Sequence, residues 1–303
     1  MTEENFPFVG NVPIQKKIEM ILEKATFSHA YIFSGPRHIG KKIFAQRFSQ
    51  KIITNTSSWK KDETDGFEIE SSIVRITPLR DAEEAKVDSE IKIDAIRKAR
   101  RLLSMGDSRR KKICIIEDAH AMNLSSQNAL LKILEEPKDG VIFFLLTHTL
   151  GRLLPTIISR CEVVPFFLAS DEEMMTFEHE KIPQQDFQKM ILLAAGRPGR
   201  LKSLMEDPHF FKQREILFRF FESFSRRTVF EKLAFAEKVS AKPERLRELL
   251  EDWIEFERKK SRSSNVLPKH CYDIIEKIED SYGVLRQTNV NDKRIVSALF
   301  LSL

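Results

Sequence analysis

Cysteine is scarce in this chain. Only Cys114, Cys161 and Cys271 occur among 303 residues. So sparse and odd a set excludes a disulfide framework. None of the seven histidines joins a cysteine at a spacing suited to zinc. Long apolar runs are missing as well. None exceeds six residues, the length of VIFFLL, Val141 to Leu146, far below the ~20 residues that span a bilayer, so no membrane partner is expected. The opening MTEENFPF is acidic and lacks the basic-then-apolar layout of a secretory signal. The expected location is the cytoplasm. Glycine nearly vanishes late in the chain: nine of ten lie at or before Gly199, and only Gly283 follows. The first part therefore needs tight turns and close backbone approaches that the last part does not. Charge of one sign is not in large excess. A net charge of +5 and a pI near 9.0 permit contact with nucleic acid without demanding it.

What is present is a pattern that changes along the chain. With 42% apolar and 31% charged residues, the sequence suits a globular protein of two or three domains. In the first part, strand-like runs alternate with helical ones. AYIFSG, KICIIED and VIFFLLT are near-continuous apolar runs. Between them, Phe44, Ala45, Phe48 and Ile52 fall on one helical face, as do Leu130, Ile133 and Leu134. Apolar strands separated by helices predict an α/β fold, with a parallel sheet covered on both faces. From about Asp171 the helical period dominates. Ile216, Leu217, Phe220, Phe221 and Phe224 are predicted to form one buried face, and Ile295, Val296, Leu299, Phe300 and Leu303 another.

Three motifs carry chemistry. FSGPRHIGKK follows the phosphate-loop formula at Gly35, Gly40 and Lys41. Such a loop wraps phosphate oxygens with backbone N–H groups, and the helix behind it adds a positive dipole end. The formula then asks for a Ser or Thr hydroxyl to hold magnesium, and here Lys42 stands instead. A second cation there weakens metal binding, while attraction for phosphate can survive. The second motif is CIIEDAH, a strand ending in Glu117 and Asp118. One acid of such a pair holds the metal and the next activates water. Glu117 stands where Asp is usual and Asp118 where Glu is usual, so each reach changes by a methylene. The third is TIISRCEVVPF, whose Arg160 can be a structural ion-pair partner or a finger that reaches a neighbour's phosphate.

Together these residues carry a family resemblance. FVGNVPIQKKIEMILEKATFSHAYIFSGPRHIGKK, NALLKILEEP and LLPTIISRC occur in order. The set resembles the clamp-loader subunits of bacterial DNA polymerase III, an AAA+ ATPase group, and among them the delta-prime type. It covers about residues 5–205. The resemblance implies an AAA+ P-loop domain over 1–166, a small helical lid domain over 167–208 and an all-helical collar over 209–303 that joins subunits. It implies a stator in a hetero-pentamer with gamma or tau and delta subunits, which uses ATP to place the sliding clamp on primed DNA. Arg160 would be the arginine finger for the adjacent ATPase subunit. Thr147 would fall near the first sensor position. GRPGR resembles the second sensor region, with Arg200 the better candidate than Arg197.

Two departures follow. Family members usually carry four cysteines of a small zinc module after the phosphate loop. No cysteine occurs before Cys114, so no zinc is expected, and TNTSSWKKDETDG is read as the remnant. The altered nucleotide motifs also imply that the chain's own ATPase activity is absent or weak. ATP and magnesium are at most weak ligands here. No separate set of carboxylates fits two-metal nucleotide addition, so a DNA-directed DNA polymerase label would belong to the holoenzyme. The basic cluster Arg97 to Lys112, half of its sixteen residues Lys or Arg, is either a solvated face or a DNA contact. The alternatives are an active gamma- or tau-like motor subunit and an unrelated nucleoside-triphosphate enzyme such as a small-molecule kinase.

Overall fold

The computed structural model describes residues 9–24, 26–53, 67–70, 72–78, 90–105, 111–177, 182–241, 243–263, 269–287 and 292–303. The segment read as a remnant of a zinc module, 54–66, lies outside them, as do 106–110 of the basic cluster. The chain divides into two compact units, 1–181 with 196–202, and 182–195 with 203–303.

In the first unit the elements run α1 (Val12–Lys24), β1 (Ala30–Ser34), α2 (Lys41–Ile53), β2 (Phe67–Glu70), β3 (Ile73–Ile76), α3 (Ile93–Ser104), β4 (Lys112–Ile116), α4 (Leu124–Glu135), β5 (Val141–Thr147), α5 (Pro155–Ile158), β6 (Glu162–Pro165) and α6 (Asp171–Met174). The sheet order is β2-β3-β4-β5-β1-β6. β3, β4, β5, β1 and β6 pair in parallel, and β2 adds an antiparallel edge. The α/β fold with a parallel sheet is as the sequence predicts.

Two cores explain why the strands are apolar on both faces. Ile32, Ile116 and Leu145 face α3, α4 and α5, where Ile96, Leu103, Leu130, Leu134 and Ile157 are buried. Tyr31, Phe33 and Phe144 face the other way, against Ile14 and Ile18 of α1 and Phe44 and Phe48 of α2. On that side Phe144 stacks between Phe33 at 5.2 Å and Phe48 at 5.1 Å. Neighbouring residues of one strand thus serve opposite cores, which is the two-residue period of a strand. All seven residues of β5 are buried.

The second unit holds α7 (Gln184–Ala194), the end of α8 (Pro198–Glu206), α9 (Pro208–Glu222), α10 (Val229–Ser240), α11 (Pro243–Ser263), α12 (Lys269–Gln287) and α13 (Asp292–Ser302). Phe221 and Phe224 pack on Trp253, each with ring centroids 4.6 Å apart. The predicted α13 face holds, with Val296, Leu299 and Phe300 buried. The predicted face on α9 and just beyond it holds at Phe221 and Phe224, both buried, and is corrected at Ile216, which is 60% exposed; Arg214 and Phe218 share the buried stripe. Arg214 can share that stripe because Asp252 meets its charge at 2.6 Å inside the helical core; a buried charge without such a partner is strongly destabilising.

Candidate functional site

The site lies where β1, β4 and β5 end. In parallel α/β sheets, ligands bind outside the carboxyl ends of the strands. The loop 35–40 leaves β1 and enters α2. It is held at both ends. Gly35 donates its N–H to the Thr147 carbonyl at 3.2 Å, and Gly199 donates to the His38 carbonyl at 2.8 Å. His38 and Gly40 take left-handed backbone angles, φ 59° and 96°. Gly40 then accepts from Phe44 N–H at 2.9 Å, starting the helix.

Gly35 is required by close approach. A Cβ there would lie 2.5 Å from the Phe166 carbonyl oxygen and 2.9 Å from Phe166 Cβ. Gly35→Ala is therefore expected to lower stability by roughly 1–3 kcal/mol, the cost of overpacking. Gly151→Ala is the control, since nothing lies within 4 Å of its added Cβ. Urea midpoints of the two variants check this. Equal midpoints would remove the claim that the start of the loop is sterically fixed.

The charged groups of the site are already engaged with one another. Lys41 Nζ donates back across the loop to the carbonyls of Gly35 and Pro36, both at 2.7 Å. Lys42 Nζ sits 3.2 Å from Glu117 Oε1, and Arg75 Nε is 3.6 Å from the same oxygen. Burial pushes the Glu117 carboxyl above its usual range, and Lys42 and Arg75 offset part of that rise. Asp118 occupies a left-handed backbone conformation at φ 46° and ψ 47°. Burial would raise its carboxyl as well, but His148, His120 and Arg37 outweigh it and hold Asp118 below its ordinary value.

Thr147 ends β5 and is fully buried. Its hydroxyl oxygen accepts from Thr149 N–H at 3.0 Å and lies 3.3 Å from His120 Nδ1. Arg197 and Arg200 are both buried, at 2% and 1% exposure, on either side of the Gly199 contact to the loop. Arg160 stands apart from this group. It follows α5, donates from Nη1 to the Thr156 carbonyl at 3.1 Å, and pairs with Glu135 at 3.0 Å. Its side chain remains 37% exposed.

The structure thus gathers Gly35, Gly40, Lys41, Lys42, Glu117, Asp118 and Thr147 around one loop, with Arg200 beside it and Arg160 elsewhere. Sequence reasoning missed Arg75, Arg37 and the two histidines. Arg75 lies in β3, a four-residue strand recognisable only through its pairing with β2 and β4. His120 and His148 each follow a buried strand end closely, and aligning those ends was the signal available.

The group implied by a phosphate loop is a magnesium–nucleotide. The residues do not fit the metal. Magnesium demands hard oxygen ligands in near-octahedral array. Position 42 offers an ammonium, and that ammonium and Arg75 already occupy Glu117. Of the basic cluster, Arg97, Arg100 and Arg101 lie on the exposed side of α3. Lys112 donates to the Leu103 carbonyl at 3.2 Å, and Lys111 sits 3.7 Å over the Phe27 ring.

Comparison with known proteins gives the following. A family model described as DNA polymerase III, delta subunit, matches residues 10–169. The DNA polymerase III subunit tau of Bacillus subtilis is 34% identical over 159 residues, which is 52% of this chain and 28% of that protein. The DNA polymerase III subunit delta' of Pseudomonas aeruginosa is 28% identical over 182 residues, 58% of this chain and 55% of that one. The chain therefore spans well under two thirds of these relatives' length. Among solved structures, the RuvB Holliday junction branch migration motor of Thermotoga maritima aligns with a TM-score of 0.46 at 18% identity, over 66% of this chain and 61% of that one.

Proposed function

Since the chain belongs to the DNA polymerase III, delta subunit family, we propose that it is the stator of a clamp loader, with a lapsed nucleotide site of its own. In this reading it sits in a hetero-pentamer with gamma or tau and delta subunits. It helps place the sliding clamp on primed DNA and offers Arg160 to the ATP site of the adjacent subunit. The three-part division into residues 1–166, 167–208 and 209–303 belongs to the same proposal, with the last part as the collar.

The observation that carries the lapsed site is the contact of Lys42 with Glu117 at 3.2 Å. A motor subunit needs a hydroxyl and a free carboxylate there to hold magnesium. This chain has a cation and a neutralised acid. The rival reading is an active gamma- or tau-like motor. It draws on the intact strand–loop–helix and on the 34% identity to a tau subunit. It requires Glu117 to surrender two cationic partners before any metal can bind.

Assembly is the test. The full chain, co-expressed with the gamma or tau and delta subunits of its own organism, is expected to co-elute with them as one complex in gel filtration. Elution of the chain alone, with the others assembled without it, would defeat the stator reading.

A further inference from the structure

Beside the phosphate loop, Asp118 converges with two histidines. One ligand-type atom each from Asp118, His120 and His148 lies within 4.8 Å of the other two. His148 Nδ1 is 3.7 Å from Asp118 Oδ1, and the two imidazoles meet edge to face with centroids 3.8 Å apart. We propose that Asp118, His120 and His148 bind one first-row divalent transition metal ion, with zinc as the reference case. The proposal is independent of the stator reading, and it concerns a different place from the four-cysteine module of the family.

The donor set decides the class of ion. Two imidazoles and one carboxylate suit zinc, cobalt or nickel, whereas magnesium and calcium prefer oxygen alone. Ligand atoms around a tetrahedral zinc stand about 3.3 Å apart, so the His148–Asp118 pair at 3.7 Å must close by roughly 0.4 Å, and the widest pair, within 4.8 Å, by up to roughly 1.5 Å. A fourth position can be filled by water, since Asp118 is 56% exposed.

The surroundings supply outer support of the kind that metal-binding histidines use. His120 Nδ1 faces the Thr147 hydroxyl at 3.3 Å. A proton on Nδ1 donated to that oxygen leaves the Nε2 lone pair for a metal, the usual way a second partner fixes the tautomer. His120 is only 9% exposed.

His148 adds a coupling. Its Nε2 accepts from Arg37 Nε at 3.1 Å. A neutral ring that accepts there carries its proton on Nδ1, facing Asp118. A metal bound at Nδ1 moves that proton to Nε2, where it opposes the Arg37 donor. Arg37 must then withdraw. It lies within the phosphate loop, so loading the metal and the setting of the loop are linked.

The test uses the full chain without an affinity tag, titrated with Co2+ and then with Zn2+. One equivalent of Co2+ is expected to give a visible ligand-field band that Zn2+ displaces. His148→Ala should weaken binding at least ~10-fold, and Arg37→Ala should tighten it. Nitrogen-15 spectra of the wild-type imidazoles decide the matter without relying on a variant's folding. Zn2+ should shift His120 and His148 alone. No stoichiometric band in the wild type, equal affinity in His148→Ala, or shifts confined to other histidines would overturn the site. Weaker binding in Arg37→Ala would overturn the coupling.

Discussion

Arg160→Ala is expected to cut ATP hydrolysis at the neighbouring subunit's site by roughly a thousandfold, the usual scale of an arginine finger. The chain itself should stay folded and the complex assembled. A guanidinium is always charged, and its fork fits phosphate oxygens. The competing role is an intrachain ion pair, and the structure gives Arg160 such a partner in Glu135 at 3.0 Å. Magnitudes separate the two. Both side chains are well exposed, at 37% and 44%, and an exposed pair contributes about 0–1 kcal/mol. A thousandfold in rate corresponds to about 4 kcal/mol. If Arg160 serves as the finger, a neighbouring transition state can draw it away from Glu135 at small cost. Under the ion-pair role, the variant loses melting temperature and the loader keeps its rate. Arg160→Lys should not rescue the rate, because an ammonium lacks the fork. Single-turnover hydrolysis resolved by site in the reconstituted loader is the measurement. Undiminished hydrolysis at the adjacent site, in a stable complex, would take Arg160 out of the mechanism.

What could be read from the sequence follows the strength of each periodic signal. β1, β4 and β5 are central strands buried on both faces, so each is a continuous apolar run that shows itself. β2, β3 and β6 have four residues each. Too short to show a period, they gain their identity from pairing. The phosphate loop was legible because steric demand writes itself as glycine, as at Gly35 under the Phe166 carbonyl. On the α9 face Ile216 was misread because it looks like core, whereas Arg214 is buried against Asp252, which is distant in sequence. The same limit hid the partners of Glu117. Lys42 was visible as a departure from the loop formula. That it reaches Glu117, and that Arg75 arrives from β3 to share the carboxylate, depends on strand order and register. The histidine cluster is similar. His120 and His148 meet because β4 and β5 are neighbours.

The central claim is that this chain keeps the phosphate-loop fold without its chemistry. Lys41 is turned onto the loop carbonyls at 2.7 Å, and Glu117 is held by Lys42 and Arg75. To bind magnesium, Glu117 would have to leave Lys42, which is 47% exposed, and the buried Arg75. Loss of the metal removes the group that bridges the phosphates and neutralises the developing charge. The chain's own turnover should then lie orders of magnitude below that of a working motor subunit. The direct measurement is steady-state ATP hydrolysis by the purified full chain with magnesium, alongside Lys41→Ala. The account predicts background turnover for both proteins, with no difference between them. Turnover comparable to a working motor subunit, abolished by Lys41→Ala, would contradict it.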